Sequence, residues 1–282
     1  MRLVKALAVL SLLMVTPINL HGAPLARFHF VQCPGSPETH LNGVNDNNEA
    51  VGYCLGLDGI FHGVKAAGGT LTYVDAPGAT NGTFPEDVNS NGAVVGFYLD
   101  DAFNHHAFTF ANGQFTELVP PGSVLAIAFG VDERGRVSGE AEDEQGVFSG
   151  WVYDGITYRT VALGFGITAV RDITERNLAT VSWQDQPPFY RSSLYRGGKL
   201  TDINVPGAIS TVAHGINAAG DVAFSWTDDA GSDHGAAMVS GKITKFDAPG
   251  CDMTDATGIN DNHVIVGTCT ASEAIKGFYV TY

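Results

Sequence analysis

The chain has 282 residues, among them 35 glycines and 12 prolines, and its 30 acidic against 15 basic side chains leave a formal charge of −15. A surface of that sign repels phosphate, which excludes nucleic acid or an anionic membrane as the main partner. Glycine and proline spread along the whole length suit an all-β fold with many turns.

Residues 1–23 have the pattern of a secretory signal. Arg2 and Lys5 form a charged start, and the apolar run Ala6 to Val15 is too short to span a bilayer. The expectation is an exported protein, periplasmic or extracellular, with no membrane insertion. The domain plan is then a signal peptide over 1–23 and one domain over 24–282.

That domain repeats at a period of about 43 residues. Pro-Gly pairs mark the units at Pro34-Gly35, Pro77-Gly78, Pro121-Gly122, Pro206-Gly207 and Pro249-Gly250, with one unit unmarked. A period of this size means a solenoid or a propeller. Each unit reads as four short strands, A to D. Strand A ends in a Gly-Val/Ile-Asn turn, as in Gly43-Val44-Asn45, Gly215-Ile216-Asn217 and Gly258-Ile259-Asn260, with looser copies at Asp87, Gly130 and Asp172. Three residues past the Asn slot stand Asn48, Gly92, Gly135, Asn177, Gly220 and His263, types that tolerate positive φ. Strand B follows.

Strand C starts on a small residue in every unit: Gly63, Ala107, Gly150, Ser193, Gly235 and Gly277. Six small residues in one slot imply close approach by a neighbouring backbone or ring. Asn112-Gly113, Asp154-Gly155 and Gly197-Gly198 predict two-residue primed hairpins between C and D, and Ser240-Gly241 fits that pattern less well. The sixth unit stops after strand C, at Tyr282. Its missing D strand has a counterpart at the other end, where Phe28 to Gly35 aligns with Leu71 to Gly78. Pairing of the two would leave no open edge. The fold predicted is therefore an all-β, six-bladed β-propeller closed by the N-terminal strand.

The motifs resemble those of the HAF-repeat extracellular proteins of bacteria. Asn89-Ser90-Asn91-Gly92-Ala93-Val94-Val95-Gly96 followed by His106-Ala107-Phe108, and the turns Asp75-Ala76-Pro77-Gly78-Ala79 and Asp247-Ala248-Pro249-Gly250, carry the likeness. It covers the whole domain and is weakest in the fourth unit. The resemblance implies an exported β-repeat protein and supplies no reaction, cofactor or catalytic set.

Four cysteines remain. Cys33 and Cys251 lie in D-to-A connections, and Cys54 and Cys269 share a slot near the end of strand B. Both regions emerge on one propeller face, which predicts the bridges Cys33–Cys54 and Cys251–Cys269; a pairing that staples blade 1 to blade 6 stays open. His62, His106 and His234 recur in strand C, far from the axis, and are expected to make hydrogen bonds within their own blades. The B-to-C loops carry acids, among them Asp100, Glu142, Asp143, Asp228 and Asp229. No cofactor is predicted. Such loops can hold Ca²⁺, but none repeats a ligand spacing. Trp183 and Trp226 are placed to pack, or else to stack on a sugar.

One slot behaves differently. Just before the strand-A Gly stand Asn42, Glu86, Phe129, Arg171, His214 and Thr257, six different residues in six units. Strand A is innermost, so this slot can face the central channel, and a varied ring on a regular scaffold is the pattern of a ligand site. Glu86, Arg171 and His214 supply the groups for an acid, an anion clamp and a base. No nucleophile elbow, phosphate loop, dinucleotide fingerprint or zinc-protease motif is present. The function expected is a non-catalytic binding module for an extracellular carbohydrate or protein, its ligand on the face of the D-to-A and B-to-C loops. The alternative is a hydrolase or lyase acting on carbohydrate at the channel mouth.

Overall fold

The computed structural model describes residues 27–161, 163, 167–186 and 188–281, without the side chains of 185 and 186. The signal segment at 1–23 lies outside the described residues.

Six four-stranded antiparallel sheets make up a six-bladed β-propeller. Their innermost strands are Thr39–Val44, Gly82–Val88, Ser123–Val131, Thr168–Ile173, Ser210–Ile216 and Met253–Ile259. The sixth sheet is completed from the other end of the described chain. Arg27–Val31 pairs antiparallel with Ala274–Thr281, with Phe28 opposite Val280 and Phe30 opposite Phe278. Phe28 sits edge-on to Phe278 at 5.3 Å.

Strand B is buried on both sides because each blade is sandwiched between two others. Val94, Val137, Val222 and Ile265 fill one face of the second strands, and Val51, Val95, Ser138, Thr180, Ala223 and Val266 fill the other. The small residues that open strand C make room for the neighbours. A Cβ on Gly277 would come within 2.7 Å of the Leu41 side chain of blade 1, and one on Gly235 within 2.6 Å of the Phe246 ring.

All six turn residues expected at positive φ adopt it, from His263 at 56° to Gly220 at 90°. The Asn112-Gly113, Gly197-Gly198 and Ser240-Gly241 hairpins all have two consecutive positive φ angles, as a primed turn needs. Asp154-Gly155 differs. Only Gly155 has positive φ, and the loop is widened because Asp154 accepts bonds from Ile156 N, Thr157 N and Thr157 Oγ1.

The Asn of the Gly-Val/Ile-Asn turn joins the blades. Asn45 Oδ1 accepts from Asn47 N and Glu49 N, closing its own A-to-B turn, while Nδ2 donates to Asn89 O of the next blade at 3.0 Å. Asn89 donates in turn to Asp132 O, Asn217 to Asn260 O, and Asn260 back to Asn45 O at 2.8 Å. A carboxamide serves both ends because one of its atoms accepts and the other donates. Asp132 cannot donate, and Arg136 does so instead, reaching Thr174 O at 2.7 Å. Thr174 is too short to repeat the link, so the step from blade 4 to blade 5 lacks it among the described residues.

Replacing Thr174 by Asn is expected to supply the missing link to Asn217 O and stabilise the protein by about 1 kcal/mol. Asn260→Ala removes a buried partner and is expected to cost about 2 kcal/mol. Urea midpoints measure both, and an unchanged or lower midpoint in Thr174→Asn would show that the link carries no net energy.

Candidate functional site

Every innermost strand contains a β-bulge, and in every blade it falls on the varied slot. The pairing with strand B skips between Leu41 and Gly43, Pro85 and Asp87, Ala128 and Gly130, Val170 and Asp172, Ala213 and Ile216, and Ala256 and Gly258. Asn42, Glu86, Phe129, Arg171, His214 and Thr257 are thus unpaired residues, with His214 sharing its bulge with Gly215. A bulge redirects the side chain it carries, and here all six line one cavity of about 530 Å³ on the propeller axis. Just past the bulge, neighbouring strands nearly touch. A Cβ on Gly43 would lie 2.6 Å from Asp87 Cα, and one on Gly215 2.8 Å from Gly258 Cα. Four blades carry glycine at this slot, and the Asp87 and Asp172 of the other two each lie against one of those glycines, Gly43 and Gly130.

The cavity wall runs from the bulges to the A-to-B turns, including Asp46, Glu133, Glu175 and Asp261. The six-residue ring therefore opens at the end opposite the D-to-A and B-to-C loops, where the ligand is expected from sequence. The reason is position in the strand: the slot lies only three residues before the turn Asn. The D-to-A and B-to-C face has a separate depression of about 520 Å³ in blade 1, lined by residues including Leu57, Asp58, His62, Tyr73 and Asp75.

Two of the six ring residues are spent on the scaffold. Asn42 Nδ2 donates to Pro85 O at 3.0 Å, and Thr257 Oγ1 to Leu41 O at 2.7 Å. The remaining four form the polar side. The Arg171 guanidinium lies over the Phe129 ring, 4.3 Å from its centroid, a cation–π contact. Its Nε is inaccessible to water and has no hydrogen-bond partner, and among the described residues no carboxylate pairs with it. Burial pushes the Glu86 carboxyl up to about 8, with Arg171 opposing and Asp87 reinforcing the shift. Burial, with Arg171 adding, pushes the His214 imidazole down to about 3. Glu86 is therefore protonated and His214 neutral at pH 7.

Sequence reasoning missed Tyr53 and Glu140. Tyr53, from the second strand of blade 1, lines the cavity, and burial and then Glu86 raise its hydroxyl pKa. Burial also raises the Glu140 carboxyl, with Arg171 opposing. The two share a strand-B slot that holds Tyr53, Phe97, Glu140, Ser182, Ser225 and Thr268, a slot nearly as varied as the bulge slot and readable by the same test.

The other candidates have structural roles. Both expected disulfides are present, Cys33–Cys54 and Cys251–Cys269, which settles the connectivity. Each strand-C His is clamped inside its own blade: His62 between Asp75 and Asp58, His106 between Glu117 and Asp100, His234 between Asp247 and Asp228. Asp100, Asp143 and Asp228 close the B-to-C turns by accepting two backbone N–H groups each. Among the described residues no group of three or more His, Cys, Asp or Glu is arranged to hold a metal ion. Trp183 is buried in the blade 4 core, and Trp226 stacks on His234 at 4.5 Å. No helix among the described residues is long and apolar enough to cross a membrane.

No family model matches the chain, and no curated protein matches its sequence. Solved structures match in shape. AofleA from Arthrobotrys oligospora superposes with a TM-score of 0.55 at 11% identity, covering 93% of this chain and 88% of its own. The fucose-recognising lectin of Aleuria aurantia, described as a six-bladed β-propeller, gives 0.50 at 11% over 86% and 93%. A gluconolactonase from Xanthomonas campestris gives 0.55 at 15% over 90% of both chains. At these identities the likeness shows the fold, which is the one predicted.

The two shifted groups act on stability in opposite directions. Glu86 holds its proton in the fold and loses it near 4.5 when unfolded, so its contribution declines as pH rises from 4.5 to about 8. His214 stays neutral in the fold and gains a proton below 6.5 when unfolded, so its contribution declines as pH falls from 6.5 to about 3. Glu86→Gln is expected to raise Tm over wild type by several degrees at pH 9 and by little at pH 4. Equal shifts at both pH values would show that Glu86 ionises normally in the fold.

Proposed function

We propose that the protein is an exported carbohydrate-binding β-propeller, a non-catalytic member of the HAF-repeat proteins it resembles, and that it holds its ligand in the axial cavity. The observation that carries this reading is the convergence of six bulge residues, one per blade, on one cavity. Its volume of about 530 Å³ is within the range of small-ligand sites. Export is supported by the signal-like segment and by two disulfides, which persist in oxidising compartments. The lectins of the same fold support a sugar as the ligand class.

A second reading rests on one observation. A protonated Glu86 and a neutral His214 in one cavity are the two states a general acid and a general base need at neutral pH. That reading is a hydrolase or lyase acting on carbohydrate.

A glycan array, run beside turnover assays on the glycans that bind, separates the two. Binding without turnover is expected. Arg171→Ala is expected to weaken binding at least ~10-fold, while Tyr73→Ala, in the blade 1 depression, leaves it unchanged. Turnover abolished by Glu86→Gln would favour the enzyme, and loss of binding in Tyr73→Ala alone would move the site to the opposite face.

A further inference from the structure

The axial cavity has two layers of opposite chemistry. Its inner layer is at the bulges, where Arg171 is a guanidinium held on the Phe129 ring with no anionic partner among the described residues. Around it the titratable groups are set neutral rather than anionic. Burial pushes Glu86, Asp87 and Asp172 of the lining toward the protonated form, Asp87 to about 7, and does the same to Glu140 behind it, while His214 is pushed toward the neutral imidazole. The inner layer is thus a fixed positive charge flanked by neutral hydrogen-bonding groups.

The outer layer is at the A-to-B turns, four residues further along the chain, at most about 13 Å at the ordinary strand rise. Here Asp46, Glu133, Glu175 and Asp261 ring the opening. Each accepts a backbone N–H from an adjoining blade: Asp46 from Asp261 N, Asp261 from Ala218 N, Glu133 from Ser90 N and Glu175 from Glu133 N. These bonds hold the carboxylates in place and leave their other lone pairs as acceptors. Burial, opposed by the Asp261 N–H and reinforced by the neighbouring acids, raises Asp46. The rim is an acceptor-rich, negatively charged collar.

A neutral sugar satisfies the collar and leaves Arg171 unpaired. A polyanion satisfies Arg171 and is repelled by the collar. A polyol bearing a single carboxylate fits both, with its acid on the guanidinium and its hydroxyl groups donating to the rim. Building on the axial cavity as the ligand site, we propose that its ligand class is the uronic acid: a sugar unit with one carboxylate, bound acid-inward on Arg171. The Phe129 ring fixes the guanidinium, so little side-chain freedom is lost on pairing. The protonated Glu86 carboxyl adds a donor to the same carboxylate. Ionisation of Glu86 above about pH 8 turns that donor into a like charge, so binding should weaken on the alkaline side.

Titration calorimetry on the full chain with glucuronate, glucuronate methyl ester, glucose and a polysulfated glycan tests the assignment. Glucuronate is expected to bind at least ~10-fold more tightly than the ester or glucose, because the ester keeps the shape and removes the charge. The polysulfated glycan is expected to bind no better than glucose. Arg171→Gln should reduce the preference of glucuronate over its ester to about one. Glu86→Gln should keep the preference and reduce the alkaline decline, the remainder coming from Asp87, which burial pushes up to about 7 in the same cavity. Folding of both variants is checked by Tm. Glucose and glucuronate binding equally, with both weakened by Arg171→Gln, would overturn the acid assignment and leave the axial site standing. Binding of these sugars that Arg171→Gln and Glu86→Gln leave untouched would overturn the axial site itself. Tightest binding by the polysulfated glycan would overturn the role given to the collar.

Discussion

Everything near the axis depends on what a buried carboxamide does in the A-to-B turn. Its oxygen closes the turn of its own blade, and its nitrogen reaches the equivalent carbonyl of the next. These side chains are almost fully buried, so an unsatisfied end would be costly. Asn meets that demand and Asp does not, which is why Arg136 stands in beside Asp132. Two residues earlier neighbouring strands come close, and four of the six blades carry glycine there. The scaffold motif Gly-Val/Ile-Asn is thus one device: approach, core contact and link.

Beside that device each strand carries one residue that it cannot pair. The bulge side chains are exempt from the ladder and turned toward the axis, into a half-buried space lined by all six blades. Such a place penalises charge. The protein keeps a carboxyl and an imidazole there by holding both toward neutrality, and their costs in stability, Glu86 above pH 4.5 and His214 below 6.5, overlap between those values. Arg171 cannot neutralise, and an aromatic face supports it instead. Groups kept under those terms contribute little to folding, which is the physical reason to assign them to a ligand.

The architecture was legible because a 43-residue period constrains the whole chain at once. Blade number, the N-terminal strand in the sixth sheet, the positive-φ slot and both disulfides follow from comparing units. The inner ring was legible for the converse reason, since disagreement among units stands out against agreement. The bulge was not legible, because one inserted residue per strand in every unit leaves the period unchanged and simply becomes part of it. Missing the bulge, however, did not misplace the ring. The end toward which the ring opens was not legible, because the varied slot fixes a distance from the axis and not a height along it. Tyr53 and Glu140 were missed because strand B reads as core, and one of its slots turns back toward the axis. Asp154-Gly155 looked like a primed hairpin, but an Asp that captures three following groups prefers a wider loop.

An unpaired residue repeated six times also separates two kinds of change. Mutations in the ladder, the turn or the glycine slot alter how blades meet. Mutations at four of the bulges, Glu86, Phe129, Arg171 and His214, alter chiefly what faces the axis, while Asn42 and Thr257 also bond the next blade. Four positions can therefore be reassigned one by one while the blades around them stay the same. A family built on this unit holds a combinatorial lining, in which new ligand preferences arise from the inside without renegotiating the fold.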